Sequence, residues 1–170
     1  MDDQQLWDVG ITRVKELLAG LPVKEKSVLL SLLARYGQIK ESHAEVVAGI
    51  DAAAVCHDCG GKCCLNGKYR MNVCDALTFV ARHIPPPVNF TQNPLCPYGS
   101  PEGCTVEPGL RPADCIMFIC DALDEKLSPG SRMALATAEQ ELRECLAQAS
   151  TLTGERLRTP LILWAETEIK

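Results

Sequence analysis

Cys56-His57-Asp58-Cys59-Gly60-Gly61-Lys62-Cys63-Cys64 is the stretch on which the reading of this chain turns. It is a C-x2-C-x3-C-C pattern. Two thiolates separated by two residues can turn inward onto one metal ion, and Gly60 and Gly61 let the backbone curl there and bring its N–H groups near the sulfurs. Neighbouring Cys63 and Cys64 point opposite ways in extended chain, so the two are expected to do different jobs, one serving this site and the other a second site or the core. The block continues through Cys74, Cys96, Cys104, Cys115 and Cys120, so that nine of the ten cysteines lie between Cys56 and Cys120 and only Cys145 falls outside. In a reducing cytosol such a set is expected to hold metal rather than disulfides.

The texture of the surrounding chain supports that expectation. Between Cys56 and Asp114 stand glycines 60, 61, 67, 99, 103 and 109, and eight of the eleven prolines lie between Pro85 and Pro112. Only Ala76 to His83 reads as a short helix there, ended by Pro85-Pro86-Pro87. A loop region of this length in a small domain needs something to fix it, and metal–thiolate bonds would do so.

Outside the block the chain reads as helical. Trp7, Ile11, Val14 and Leu18 share a helical face, and Leu29, Leu32, Leu33 and Tyr36 form a second stripe that Gly37 is expected to stop. Ser42-His43-Ala44-Glu45 has the spacing of a capping box and predicts a third start, with Val46, Val47, Ile50 and Ala54 on the following face. Pro112 predicts a helix carrying Ile116, Ile119 and Leu123. A long helix is expected from about Pro129 to Leu152, with Cys145 on its inner stripe, and Leu161-Ile162-Leu163-Trp164 reads as an element docked on the body. The expected architecture is mainly α, with short helices packed around a loop-rich, Cys-rich metal-binding core and little or no β-sheet. It is one domain over residues 1–170, comprising a helical segment 1–55, a cysteine-cluster core 56–120 and a helical segment 121–170. The first segment is expected to pack on the cysteine-rich part, and it also offers a surface for a protein partner.

Composition excludes other classes. The 170 residues are 46% hydrophobic and 23% charged, an ordinary globular balance. A net charge of -5 leaves no basic surplus for a phosphate backbone or an anionic membrane, so nucleic-acid and membrane partners are not expected. No apolar run reaches the roughly 18 residues of a spanning helix, and Met1-Asp2-Asp3-Gln4-Gln5 does not open a secretory signal, so a cytoplasmic location is expected.

In the second half of the block Cys96-Pro97 and Cys104 are expected in loop. Cys115 and Cys120, five apart, would lie about 140° from each other on a regular helix, so both face one ion only if the helix breaks or begins between them. Cys115, in the first turn after Pro112, would gain from the positive end of the dipole and is the better ligand of the two. Cys74 is ambiguous. His57 is expected to be solvated or to support the ligands from behind, as are Asp58 and Asp114, while Lys62 and Arg111 are candidates to offset thiolate charge.

These residues resemble the YkgJ-like cysteine-cluster (CxxCxxCC) family of zinc- or iron-chelating domains. Its pattern is a C-x2-C-G-x-C-C-like block, a variable middle, C-P, a further Cys, and an R-P-x-x-C-R-x-F-P-C-like close. The matching positions are Cys56, Cys59, Gly60 or Gly61, Cys63 and Cys64, then Cys96-Pro97, Cys104, and Arg111-Pro112-Ala113-Asp114-Cys115 with Phe118 and Cys120. The chain departs from it at Ile116, where the family has Arg, at Ile119, where it often has Pro, and at Glu107, where it has an aromatic. The resemblance covers residues 56 to 120 and implies eight metal ligands: Cys56, Cys59, Cys63, Cys64, Cys96, Cys104, Cys115 and Cys120. Those thiols suffice for one four-ligand site with some left over or for two sites. The expected cofactor is an iron–sulfur cluster, [4Fe–4S] favoured, or Zn2+. A non-catalytic role in electron transfer, metal handling, structure or partner recruitment is the first expectation. The alternatives are an enzyme like the flagellin lysine N-methylases, which the cysteine block also resembles, and a redox-sensing thiol protein. No G-x-G-x-x-G element after a strand supports the enzyme.

Overall fold

The first helix begins where Asp2 can cap it. In the computed structural model, which describes all residues except 61, 93–95, 101–102 and 168–170, Asp2 accepts from Gln5 N at 2.8 Å while Gln5 Oε1 accepts from Asp2 N at 3.0 Å. Two orphan donors are satisfied reciprocally, and α1 runs over Asp3–Gly20. Its expected stripe is its inner face, with Trp7, Val14 and Leu18 buried and Ile11 packed against the core.

The second stripe lies on a helix longer than predicted. α2 spans Val23–Ala48 without the stop at Gly37 or the new start at Ser42. A helix-breaking residue is tolerated at Gly37 because the loop at Gly109 crosses there, so closely that a Cβ on Gly37 would lie 3.3 Å from the Gly109 carbonyl oxygen. That approach offsets the ~1 kcal/mol a helical glycine costs. The three predicted short helices are therefore two long ones and a short α3, Ala52–Asp58.

Next come a 3-10 segment over Lys62–Tyr69, kinked at Asn66, and α4, Val73–Ala81. α4 starts three residues earlier than expected because Asn72 and Asp75 form a capping box. A short 3-10 turn, Phe90–Gln92, precedes a hairpin of β1, Gly99–Ser100, and β2, Gly103–Cys104, with Gly99 opposite Cys104. α5, Ala113–Ile116, and α6, Asp121–Asp124, then replace the single helix predicted after Pro112. α7, Pro129–Thr153, matches its prediction, and Gly154 ends it in the left-handed conformation at φ +71°. α8, Leu161–Glu166, is the docked element.

α7 lies along α2, while α1 packs on α8 and α4. The segment before α8 is tied to the start of α4: Val73 N donates to Thr159 O at 3.1 Å, Cys74 N to Leu157 O at 3.1 Å and Leu161 N to Met71 O at 2.8 Å. The architecture is mainly α, as expected, but the centre of the molecule is hydrophobic rather than cysteine-rich. Leu29, Leu77, Phe79, Leu142, Leu157 and Leu161 are among the side chains fully buried there, each contributing about 1.5–3 kcal/mol by leaving water. Cys74 and Cys145 belong to this core, whereas Cys56, Cys63, Cys64 and Cys104 are exposed at its side. No helix among the described residues is long and apolar enough to cross a membrane.

Candidate metal centre

All ten cysteines are free thiols. Eight of them gather where α3, the 3-10 segment, the hairpin, α5 and the start of α6 meet the bundle.

Cys56 lies on α3, and Cys59 is that helix's C-cap, still in helical conformation at φ -79°. Residues three apart on a helix share a face, so both thiols are presented together. Gly60 follows at φ +64°, the tight curl its sequence context predicts; Gly61 lies outside the described residues. α3 packs on α6, whose N-cap is Cys120. The break between Ile116 and Asp121 is the interruption that two thiols five residues apart require if they are to leave the 140° separation of a regular helix.

A 3-10 helix has three residues per turn, so successive side chains diverge by about 120° and those three apart eclipse. Cys63 and Cys64 lie in such a segment, yet their thiols stay within hydrogen-bonding reach of each other, so the expected divergence of the two is not what the structure has. Beyond the kink at Asn66, Gly67 sits against Cys96, and a Cβ on it would fall 2.3 Å from Cys96 Sγ and 2.9 Å from Cys96 Cα. Only glycine allows this approach.

Electrostatics link the thiols into two overlapping neighbourhoods joined at Cys63. Burial raises the Cys56 pKa first, and the charges of Cys63, Cys59 and Cys120 raise it further, against Arg111. Cys64 is pushed up to about 12 by burial, then by the charge and hydrogen bond of Cys63 and the charges of Cys96 and Cys104. Cys96 is raised by burial and by Cys104 and Cys63, against the Tyr98 N–H and Arg70. Cys115 is raised strongly, by burial first and then by Cys96 and Cys104, again against Arg70. One group is therefore Cys56, Cys59, Cys63 and Cys120; the other is Cys64, Cys96, Cys104 and Cys115, with Cys63 at the seam. Among the described residues no three His, Cys, Asp or Glu side chains converge tightly enough to hold a single ion as they stand.

The expected dipole assistance to Cys115 is not what governs it. α5 has only four residues, and burial drives the Cys115 thiol toward the neutral form. Cys74 is likewise raised by burial deep in the core. His57 and Asp58 are exposed and face each other at 3.5 Å. Lys62 is exposed, and Arg111 donates from Nε and Nη2 to Val106 O at 3.3 and 3.2 Å while acting on Cys56.

Sequence reasoning missed the device that anchors the second group. Asp75, fully buried, accepts from Lys40 Nζ at 3.0 Å, Tyr36 Oη at 3.2 Å, Asn72 N at 3.2 Å and Ala113 N at 3.3 Å. Lys40, also fully buried, donates to Arg111 O at 2.9 Å. Burial raises the Asp75 carboxyl above its ordinary pKa while Lys40 and the backbone donors pull it back. This hub pins the Arg111-Pro112-Ala113 stretch, and hence Cys115, to α2 and α4. Arg70 was missed as well: it follows the 3-10 segment, near enough to Cys96 and Cys115 to oppose their rise. Its position three residues after Gly67 was the only available signal.

Comparison with family models, with curated proteins and with solved structures finds no match to this chain.

Proposed function

We propose that this protein binds metal through two sets of four thiolates, Cys56, Cys59, Cys63 and Cys120 in one and Cys64, Cys96, Cys104 and Cys115 in the other, and serves metal handling or electron transfer rather than catalysis. What supports the reading is the mutual crowding of the thiols beside an already complete hydrophobic core. Crowded thiols raise one another's pKa, and a cation reverses that penalty, since a coordinating thiol is deprotonated outright. Four thiolates suit a tetrahedral zinc or an iron–sulfur cubane. The cubane, [4Fe–4S], is the first choice because its size accepts ligands drawn from irregular loops. Arg111 beside one set and Arg70 beside the other would offset the surplus negative charge. Exposure of Cys56, Cys63, Cys64 and Cys104 suits exchange of metal or electrons with a partner at the surface.

Anaerobic purification with elemental analysis and a visible spectrum tests this. Two centres per chain are expected, brown with iron and sulfide for clusters or colourless with zinc. Cys59→Ser should remove one centre and Cys104→Ser the other, whereas Cys145→Ser, in the core, leaves stoichiometry unchanged. Anaerobically prepared wild-type protein without bound metal refutes the proposal.

A further inference from the structure

α3 is a helix without an anchor. None of its seven residues is buried, whereas α8, with six, buries Leu161, Ile162, Trp164 and Ala165. Its first helical bond, Val55 N to Asp51 O, is long at 3.4 Å. Among the described residues no side-chain hydrogen bond or ion pair ties residues 51–60 to the body, and His57 and Asp58 pair with each other. Ala52-Ala53-Ala54 keep the segment helical by propensity, but a helix this short is marginal when no face is packed.

Both ends of α3 can pivot. Asp51 stands in the left-handed region at φ 57° and ψ 43°, and Gly60 at φ +64°. Glycine takes that conformation freely, whereas Asp51 carries a Cβ and is strained there. Its side chain makes no capping bond to α3 that would offset the strain. Residues held in this way collect at ligand clamps and switch segments. Rotation about the two positions turns α3 as one body while α2 and the 3-10 segment stay in place. The helix presents Cys56 and Cys59 on one face and rests on α2 and on α6, whose N-cap is Cys120. Those three thiols thus lie on the two sides of a joint, and no three ligating side chains among the described residues converge on one point as they stand.

Resting on the metal-binding reading above, we propose that α3 is a closing strap, which swings about Asp51 and Gly60 to bring Cys56 and Cys59 onto Cys120 and so completes the first set when metal arrives. Closing lets Asp51 leave the left-handed region, and the metal, which binds the closed form better, holds it there. Cys115 of the second set, on the stretch pinned by Asp75, has no such joint.

The test is a Zn2+ titration followed by NMR. In the metal-free protein the amides of residues 52–60 are expected to exchange with solvent faster than those of α2 and α7, and Zn2+ should slow them together. Residual dipolar couplings of the α3 N–H bonds should show the helix reoriented against α2 on loading. Asp51→Gly relieves the open form of its strain, so the Zn2+ concentration that closes α3 should rise about fivefold. Asp51→Asn, which tolerates the left-handed region as aspartate does, should match wild type. Zn2+ binding that Cys59→Ser lowers, with α3 of the wild type in one orientation throughout, overturns the strap and leaves the metal reading standing. Equal closing concentrations for Asp51→Gly and wild type overturn it too, as does an Asp51→Asn variant that behaves like Asp51→Gly. A wild type that binds no Zn2+ removes the metal reading and the strap with it. If Asp51→Gly does not fold, the wild-type couplings decide alone.

Discussion

Gly67→Ala is the sharpest probe of how the second thiol set is built. The new methyl would sit 2.3 Å from Cys96 Sγ, 2.6 Å from its Cβ and 2.9 Å from its Cα. Carbon and sulfur need about 3.5 Å or more, so the two strands of chain must part by roughly 1 Å. Rotating the Cys96 side chain does not suffice, because its backbone is also too near. Overpacking of this kind costs about 1–3 kcal/mol, and at about 2–4 °C per kcal/mol for a chain of this size it should appear as a lowered Tm. The larger effect is on metal. Ligand distances tolerate only about 0.2 Å, so a shift of about 1 Å should empty the Cys64, Cys96, Cys104 and Cys115 set while the other set stays filled. Gly60→Ala is the control: its methyl meets nothing within 4 Å, and the φ of +64° adds only local strain, about 1–2 kcal/mol. Metal per chain, measured on both variants by elemental analysis, should halve for Gly67→Ala only. Full stoichiometry in Gly67→Ala would refute the placement of Cys96 as a ligand packed on that glycine.

Two further outcomes follow from buried charge and from the thiols. Asp75→Asn leaves the Lys40 ammonium fully buried without a counter-ion, which should cost about 3–5 kcal/mol in urea unfolding and loosen Cys115 as well. A change within about 0.5 kcal/mol would dismiss the hub as an organising element. For the metal-free chain, the raised thiol pKa values of Cys74, Cys115 and Cys64 mean that the unfolded state loses protons first, above about pH 8.5. Their stabilisation is complete below that pH and drains away as pH climbs toward the folded values, about 12 for Cys64. Cys64 is partly solvated, so Cys74 and Cys115 supply most of the effect. Tm should fall between about pH 8 and about pH 10, and a flat profile would contradict their burial.

What the sequence made legible was periodic or angular. The α1 and α7 stripes are visible because burial repeats every three or four residues. The break between Cys115 and Cys120 was not: helical spacing made it a condition for both thiols to face one ion, while the apolar pattern after Pro112 read as a single helix. What stayed hidden was contact between distant segments. Gly37 reads as a stop by local grammar, yet it is a helix interior chosen by the Gly109 loop. Lys40 and Asp75 are 35 residues apart, and neither carries a local sign of its partner. Gly67 looked like one loop glycine among several until Cys96 lay on it, and Ser42 and Glu45 have capping spacing with no helix start to cap.

The approach of Gly67 to Cys96 ties the length of the chain between them to a single fit. One residue inserted next to Gly67 would put a side chain, or a displaced backbone, where the Cys96 sulfur now lies, so chain length is rigidly specified at that point.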